Sequence, residues 1–544
     1  MNEETRTAAI VDNDNFCYEI FIPNSVEYQK QKYVITSLSK YSFYELSSPR
    51  SIQIPWYSNL RTIENKAFFR SSLEKITIPP SVSELKEGWC HGAFKLTKVI
   101  VMKNNPYFKN YENDEHLVIG KSDINDKEYD TLIFVSREIK SVEIPPNIKR
   151  ISSYSLEGCK IDKVLIPSKV TQICKEAFNC CDHLKNVDFA QDSELRIIGE
   201  YAFFGVPIKN ITIPSSVELI EGNAFSACNE LQNFEISPHS KLQTIGEYAF
   251  SYSNIFNISI PSSILNLKCG WCFPKDQFKK IKIIKEKEQN ITFYDDEKYI
   301  IGKSDKMENV FDILILVSKN INSVTIPLFI KQIDPYAFSN SLIENIFIPP
   351  HVTCINSFAF SQCEKIQHVE ISPYSQLRTI DSFTFIDSSI ETLTIPPSVS
   401  ELKDGWCEGT EKLTEVIIMP ENPYFKNYEN DNQLVIGKSN IDNKEYDILI
   451  FASRKIKEVQ IPPNIKIISS YSFEKSKIEK IFIPKEVIQI GQNAFYDCYH
   501  LYNVEIPADS NLQTIGMNAF QSTSIERFFI PDQITQIDNR TFND

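Results

Sequence analysis

Nowhere in the 544 residues does an apolar run approach the roughly 18 residues that a membrane-spanning helix needs, so no transmembrane segment and no membrane insertion are expected. The opening MNEETRTAAIVDNDN is acidic and has no apolar h-region, so it does not read as a signal peptide, and the closing TQIDNRTFND reads as a repeat cut part-way with no anchor. Glycine is scarce, at 15 residues, and none is set in a phosphate-cradling loop; IGKS at 119–122 lacks the spaced glycines of a P-loop. Basic residues are outnumbered 57 to 71, and the net charge of −14 argues against partners that need a basic footprint, namely nucleic acid and anionic membrane surfaces. The seven histidines occupy unrelated positions, with no Ser/His/Asp or Cys/His pairing in the repeat register. No catalytic residue, metal ligand or cofactor site is therefore expected.

What the sequence does have is repetition. The step Ile-Pro closes a short apolar run fourteen times, as at Ile78-Pro79 and Ile213-Pro214. From Ile144 the marker residues fall at Ile166, Phe189, Ile213, Ile236 and Ile260, a spacing of 22 to 24, and the series Ile326, Ile348, Ile371, Ile395 and Ile461, Ile483, Ile506, Ile530 repeat it. A period in this range reads as a leucine-rich-repeat solenoid. Three intervals of 66 residues, 78 to 144, 260 to 326 and 395 to 461, share an irregular module. PPSVSELKEGWC at 79–90 returns as PPSVSELKDGWC at 396–407, and NPYFKNYEN at 105–113 returns at 422–430, whereas the middle copy keeps only CGWC at 269–272 and IIGKS at 300–304. The expected organisation is a leader and capping segment over 1–50, then one solenoid over 51–544 with modules near 79–143, 261–325 and 396–460.

Residues 208–228 show how one rung folds. Ile211 and Ile213 alternate with Asn210 and Thr212, the period of a strand with one buried face, and Pro214 ends it because it has no N–H for the ladder. Val217 and Ile220 return inward, and Phe225 plugs the core as Phe68, Phe178, Phe203, Phe250, Phe338, Phe360, Phe385, Phe473, Phe495 and Phe520 do elsewhere. Stacked rungs predict a horseshoe or superhelix with a continuous parallel β-sheet on the concave face and short extended or 3-10 segments on the convex face. Each irregular module is expected to supply two further rungs joined by a polar loop.

The outward strand positions are the candidate binding face. Asn186, Asn210, Asn233 and Asn257 recur at one position on four successive rungs, where their amides can bond one above another or meet a ligand. Phe347, Phe482 and Phe529 are aromatic at outward positions, the residue type that anchors interfaces. Of the thirteen cysteines, Cys159, Cys181, Cys228, Cys363 and Cys498 share one slot and read as small core residues, although a disulfide between Cys159 and Cys181 stays open. Cys269-Gly270-Trp271-Cys272 resembles a redox or zinc CxxC, but Glu87 and Asp404 replace the first cysteine in the other copies. Trp89, Trp271 and Trp406 then read as core plugs at the module entrances. Sequons at Asn210, Asn257, Asn290 and Asn539 matter only in a secreted protein.

The pattern IP-x-S-V-x-x-I-x-x-x-A-F-x-x-C-x-x-L resembles the BspA-like, or Treponema-type, leucine-rich-repeat family over about 51–544, and YFKNYENDEHLVIGKSDINDKEYDTLIFVS resembles the irregular segment of its members in parasitic protists. The resemblance implies a non-enzymatic cell-surface or secreted protein that binds protein or glycoprotein ligands of host matrix, host cells or microbes. Without a recognised leader or anchor, an intracellular scaffold in the cytoplasm stays open as the alternative.

Overall fold

The computed structural model describes residues 7–10, 18–48, 50–123, 125–272, 280–295, 297–305, 307–318, 321–430, 432–442 and 444–542. The chain divides into two compact units, 1–289 and 290–544, with the boundary inside the second irregular module. Each is a parallel β-solenoid of leucine-rich-repeat type with almost no helix. Residues 1–6 and 11–17 of the leader and capping segment lie outside the described residues, while Thr7–Ile10 pairs in parallel with Gln31–Leu38.

A regular rung has three hydrogen-bonded walls. On the first, Asn210–Ile213 buries Ile211 and Ile213 and turns Asn210 and Thr212 outward. On the second, Leu219–Ile220 is a two-residue strand laddered in parallel to Ile197–Ile198 and Thr244–Ile245, so this side too is a sheet, though a narrow one. The third wall is a turn in which Asn223 and Ala227 adopt left-handed φ of 54° and 58°. That conformation costs roughly 1–2 kcal/mol per residue. It aims the N–H groups of Asn223, Phe225 and Ala227 at the carbonyls of Glu247, Ala249 and Ser251 in the next rung, at 2.9, 2.8 and 2.7 Å. Those bonds, at about 0.5–1.5 kcal/mol net each, offset the strain. Donors all face the following rung and acceptors the preceding one, so the turn column has a polarity.

Inside, the phenylalanines stack as the spacing predicts. Phe203, Phe225 and Phe250 lie 5.2 and 5.8 Å apart between centroids, and Phe338, Phe360 and Phe385 lie 4.8 and 5.4 Å apart, all near parallel. Burying each ring contributes about 1.5–3 kcal/mol. The cysteine slot is buried beside them. Cys181, Cys228 and Cys498 donate S–H to the carbonyls of Leu156, Phe203 and Phe473 one rung earlier, at 3.0, 3.1 and 3.0 Å, and burial pushes Cys228 and Cys498 up to about 12. Cys159 and Cys181 remain thiols.

Rung length controls the long-strand ladder. Where markers are 23 apart, as from Ile213 to Ile236 and Ile348 to Ile371, four residue pairs are in register. Where they are 24 apart, from Ile236 to Ile260 and Ile371 to Ile395, only two are, and a hydroxyl of the next rung takes the released amide. Ser259 accepts from Ile236 N at 3.0 Å, Thr394 from Ile371 N at 2.9 Å, and Thr77 from Ile54 N at 2.8 Å. The long strands form several sheets rather than one uninterrupted ladder, with breaks at the modules and between Asn186–Phe189 and Asn210–Ile213.

The modules depart from the expected pair of rungs. Phe108–Asn110, Leu117–Gly120 and Thr131–Val135 form an antiparallel meander, and only its last strand rejoins the solenoid, in parallel with Arg150–Ile151 on the narrow wall. Ile291–Tyr294, Tyr299–Gly302 and Ile313–Val317 do the same in the second unit, as do Phe425–Asn427, Leu434–Gly437 and Ile448–Ala452. Leu117–Gly120 is buried on both faces, which explains its unbroken apolar run. At the entrance, the Asn110 side chain takes the place of a strand on the edge of Lys98–Val101, accepting from Val101 N and donating to Val99 O, both at 2.8 Å.

Candidate functional site

The long-strand face brings three of the four asparagines together. Asn233 Nδ2 donates to Asn210 Oδ1 at 2.6 Å, and Asn257 Nδ2 donates to Asn233 Oδ1 at 2.7 Å. Asn186 stands at the same outward position beside Lys163, but its strand and that of Asn210 belong to separate sheets. The ladder is an exposed row of aligned amides held 23 and 24 residues apart in sequence.

The three phenylalanines are not brought together. Phe347 projects opposite Glu370, and Phe482 stands between Gln460 and Glu505 in a different sheet, above a shallow depression lined also by Glu458 and Lys480. Phe529 is exposed but belongs to no strand. It occupies the position held by Thr77, Ser259 and Thr394 in other 24-residue rungs, and a phenyl ring cannot take the amide those hydroxyls accept.

The module interiors hold charged groups that sequence reading passed over. Arg137 is buried and donates through Nη1 to Ser155 O at 3.1 Å and through Nη2 to Tyr154 O at 3.0 Å, with Cys90 Sγ 3.5 Å from Nη2. Glu157, also buried, accepts from Gly92 N at 2.9 Å. The polarity of the turn column frames the pair: the rung before the module leaves the Gly92 N–H with no following rung, and in the rung after it Ser155 O takes Val135 N and Tyr154 O takes Glu157 N, each with a second lone pair open. Glu157 meets the donor and Arg137 the acceptors. Arg454 and Glu474 repeat this, with Ser472 O 3.1 Å from Arg454 Nη1 and Gly409 N 3.0 Å from Glu474 Oε2. A charged residue recurring in both copies within an apolar frame, in FVSREIK and FASRKIK, was the available signal.

The two interiors carry different chemistry around that pair. In the first, His91 Nδ1 lies 2.9 Å from Glu157 Oε1, and Tyr154 OH donates to Glu176 at 2.9 Å. In the third, Glu408 replaces His91, and burial raises its carboxyl. Burial likewise pushes Glu474 up to about 7; Arg454 and the Gly409 N–H oppose the shift and Glu408 adds to it. Burial also pushes the Cys90 and Cys407 thiols, beside the two arginines, up to about 12, so neither is a ready nucleophile.

The sequence profile described as BspA type Leucine rich repeat region matches in six copies, over residues 14–116, 130–203, 196–297, 316–436 and 439–544. The chain belongs to the BspA type leucine-rich-repeat family. Among solved structures, this BspA-type chain is 19% identical to a leucine rich cell surface protein of Faecalibacterium prausnitzii, over 93% of this chain and 92% of that one, with a TM-score of 0.34. It is 18% identical to a leucine-rich repeat protein of Eubacterium ventriosum, over 70% and 82%, with a TM-score of 0.41. A TLR13–ssRNA13 complex also matches, at 11% identity over 89% and 72% with a TM-score of 0.16. No curated protein matches. Family membership makes this BspA-type chain a repeat protein for interaction, and no helix among the described residues is long and apolar enough to cross a membrane.

Proposed function

We propose that this chain is a non-enzymatic cell-surface or secreted protein that binds protein or glycoprotein ligands of host matrix, host cells or microbial surfaces through its long-strand face. The observation that carries the reading is the exposed Asn210–Asn233–Asn257 ladder, a row of amides fixed by its own hydrogen bonds on a rigid sheet. A pre-ordered polar row loses little entropy on binding, and Phe347 and Phe482 add isolated apolar anchors. Membership of the BspA type family supports the surface placement. Cell-surface biotinylation of intact cells tests it, and recovery of the protein only from the cytosol would overturn it. Binding of the purified chain to host cells and matrix proteins, compared with an Asn233→Ala/Phe482→Ala variant, tests the face.

The second reading is an intracellular interaction scaffold. It is favoured by the cysteine slot, whose S–H groups are spent on carbonyls one rung earlier, as at Cys181 and Cys228, and need no disulfide to hold the core. Proximity labelling separates the two, because a cytosolic partner set supports only the scaffold.

A further inference from the structure

The first module gathers three metal-ligand side chains from three successive layers. His91 comes from the rung before the module, Glu157 from the rung after it, and Glu176 from the next. One ring nitrogen of His91 and one oxygen from each carboxylate all lie within 4.8 Å of one another. Each side chain is also held from behind. The imidazole lies between Phe69 and Tyr154, at 4.8 and 4.4 Å between centroids. The Gly92 N–H fixes the second oxygen of Glu157, and the Tyr154 hydroxyl and Asn179 amide fix Glu176. The 2.9 Å approach of Nδ1 to Glu157 is not aligned as a hydrogen bond, so the buried ring nitrogen keeps its lone pair or proton unused.

We propose that His91, Glu157 and Glu176 bind a zinc-class divalent cation that staples the first module to the rungs after it. One imidazole and two carboxylates form a borderline donor set, and the outer hydrogen bonds are those that orient ligands in such sites. Tetrahedral zinc places its ligand atoms about 3.3 Å apart. The His91–Glu157 pair, at 2.9 Å, is close to that spacing, and Glu176, partly exposed like His91, closes the rest by giving up one of its two hydrogen bonds. Water completes the coordination on the exposed side, and the role is structural. The third module presents Glu408, Glu474 and Asn493 at the same three positions, so the site belongs to the first module alone.

The test uses the full chain, Zn²⁺ in titration calorimetry and Co²⁺ visible absorption. The wild type is expected to bind one ion and to melt higher with it. His91→Glu, which installs the third module's own residue and so keeps a side chain known to that frame, is expected to lose the ion while its circular dichroism and metal-free melting stay those of a folded chain. Glu408→His/Asn493→Glu is expected to bind a second ion. The proposal is overturned if the wild type binds none, if His91→Glu binds as the wild type does, or if the double variant stays at one. Any of these would leave His91 and Glu157 as a buried structural contact only.

Discussion

Residues 79–143 and 396–460 are two copies of one module whose shared and exchanged contacts separate what the frame needs from what it tolerates. Asn105 donates to Pro79 O and Val82 O at 2.8 and 3.0 Å and accepts from Tyr107 N and Phe108 N; Asn422 repeats all four bonds within 0.1 Å. Asn427 closes the edge of Glu415–Ile418 as Asn110 does in the first copy. These groups terminate backbone ladders, and a buried ladder end without a partner costs about 1–3 kcal/mol. Side-chain contacts, by contrast, exchange in pairs. Phe94 packs over Gly158, which has φ +66° and no room for a Cβ, whereas Glu411 and Lys475 hold those positions with an ion pair at 2.8 Å. The middle copy has Ser339 where the others have Glu157 and Glu474, so the worn module has lost half of its splice.

The hardest test of the likeness is the buried arginine. Arg137→Ala and Arg454→Ala each remove the buried cation near a buried carboxyl group and one of the two donors to each of two carbonyls, for an expected loss of about 3–5 kcal/mol in urea unfolding. If either cost less than half the other, the splice would not be equivalent in the two copies. Asn105→Ala and Asn422→Ala should come next and match each other, at about 2–3 kcal/mol, because each strips partners from four backbone groups.

Acidity should separate the copies. Glu474 holds its proton more tightly folded than unfolded, so its contribution to stability is complete below about 4.5 and is lost as pH rises through about 7. Amide exchange around Tyr471–Glu474, corrected for intrinsic rates, is therefore expected to accelerate from about pH 5 to about pH 8. Glu408→His removes one of the neighbours that raise Glu474 and should weaken the dependence. An unchanged profile in the variant would show that Glu408 does not act on Glu474. The smallest effect contrasts a regular rung with the modules: Ser259→Ala deprives Ile236 N of its acceptor and should cost about 1 kcal/mol, with exchange quickening at Ile236 first.

Local rules made much of this chain legible from its sequence. Alternation of period two marks Asn210–Ile213 as a strand, proline marks its end, and the phenylalanine slot marks the spine, because each depends on residues a few positions apart. The module meander was not legible, since two apolar runs with a loop between them fit either two parallel rungs or an antiparallel hairpin, and the pairing is decided by which wall the last strand joins. The face was legible in part. The asparagine ladder follows from the period, but the isolation of Asn186 and the strandless setting of Phe529 are decided by where the long-strand sheets break.

The amino-acid order by itself thus determined the period, the family, the buried spine and the outward row of amides, all set by spacing within and between adjacent rungs. Only the tertiary structure decided where the turn column is interrupted, and with that the places of Arg137, Glu157 and His91. Glu157 lies 65 residues from the amide it caps and 66 from the imidazole beside it. No local pattern encodes such a partner, because the two rungs face each other only across the folded meander.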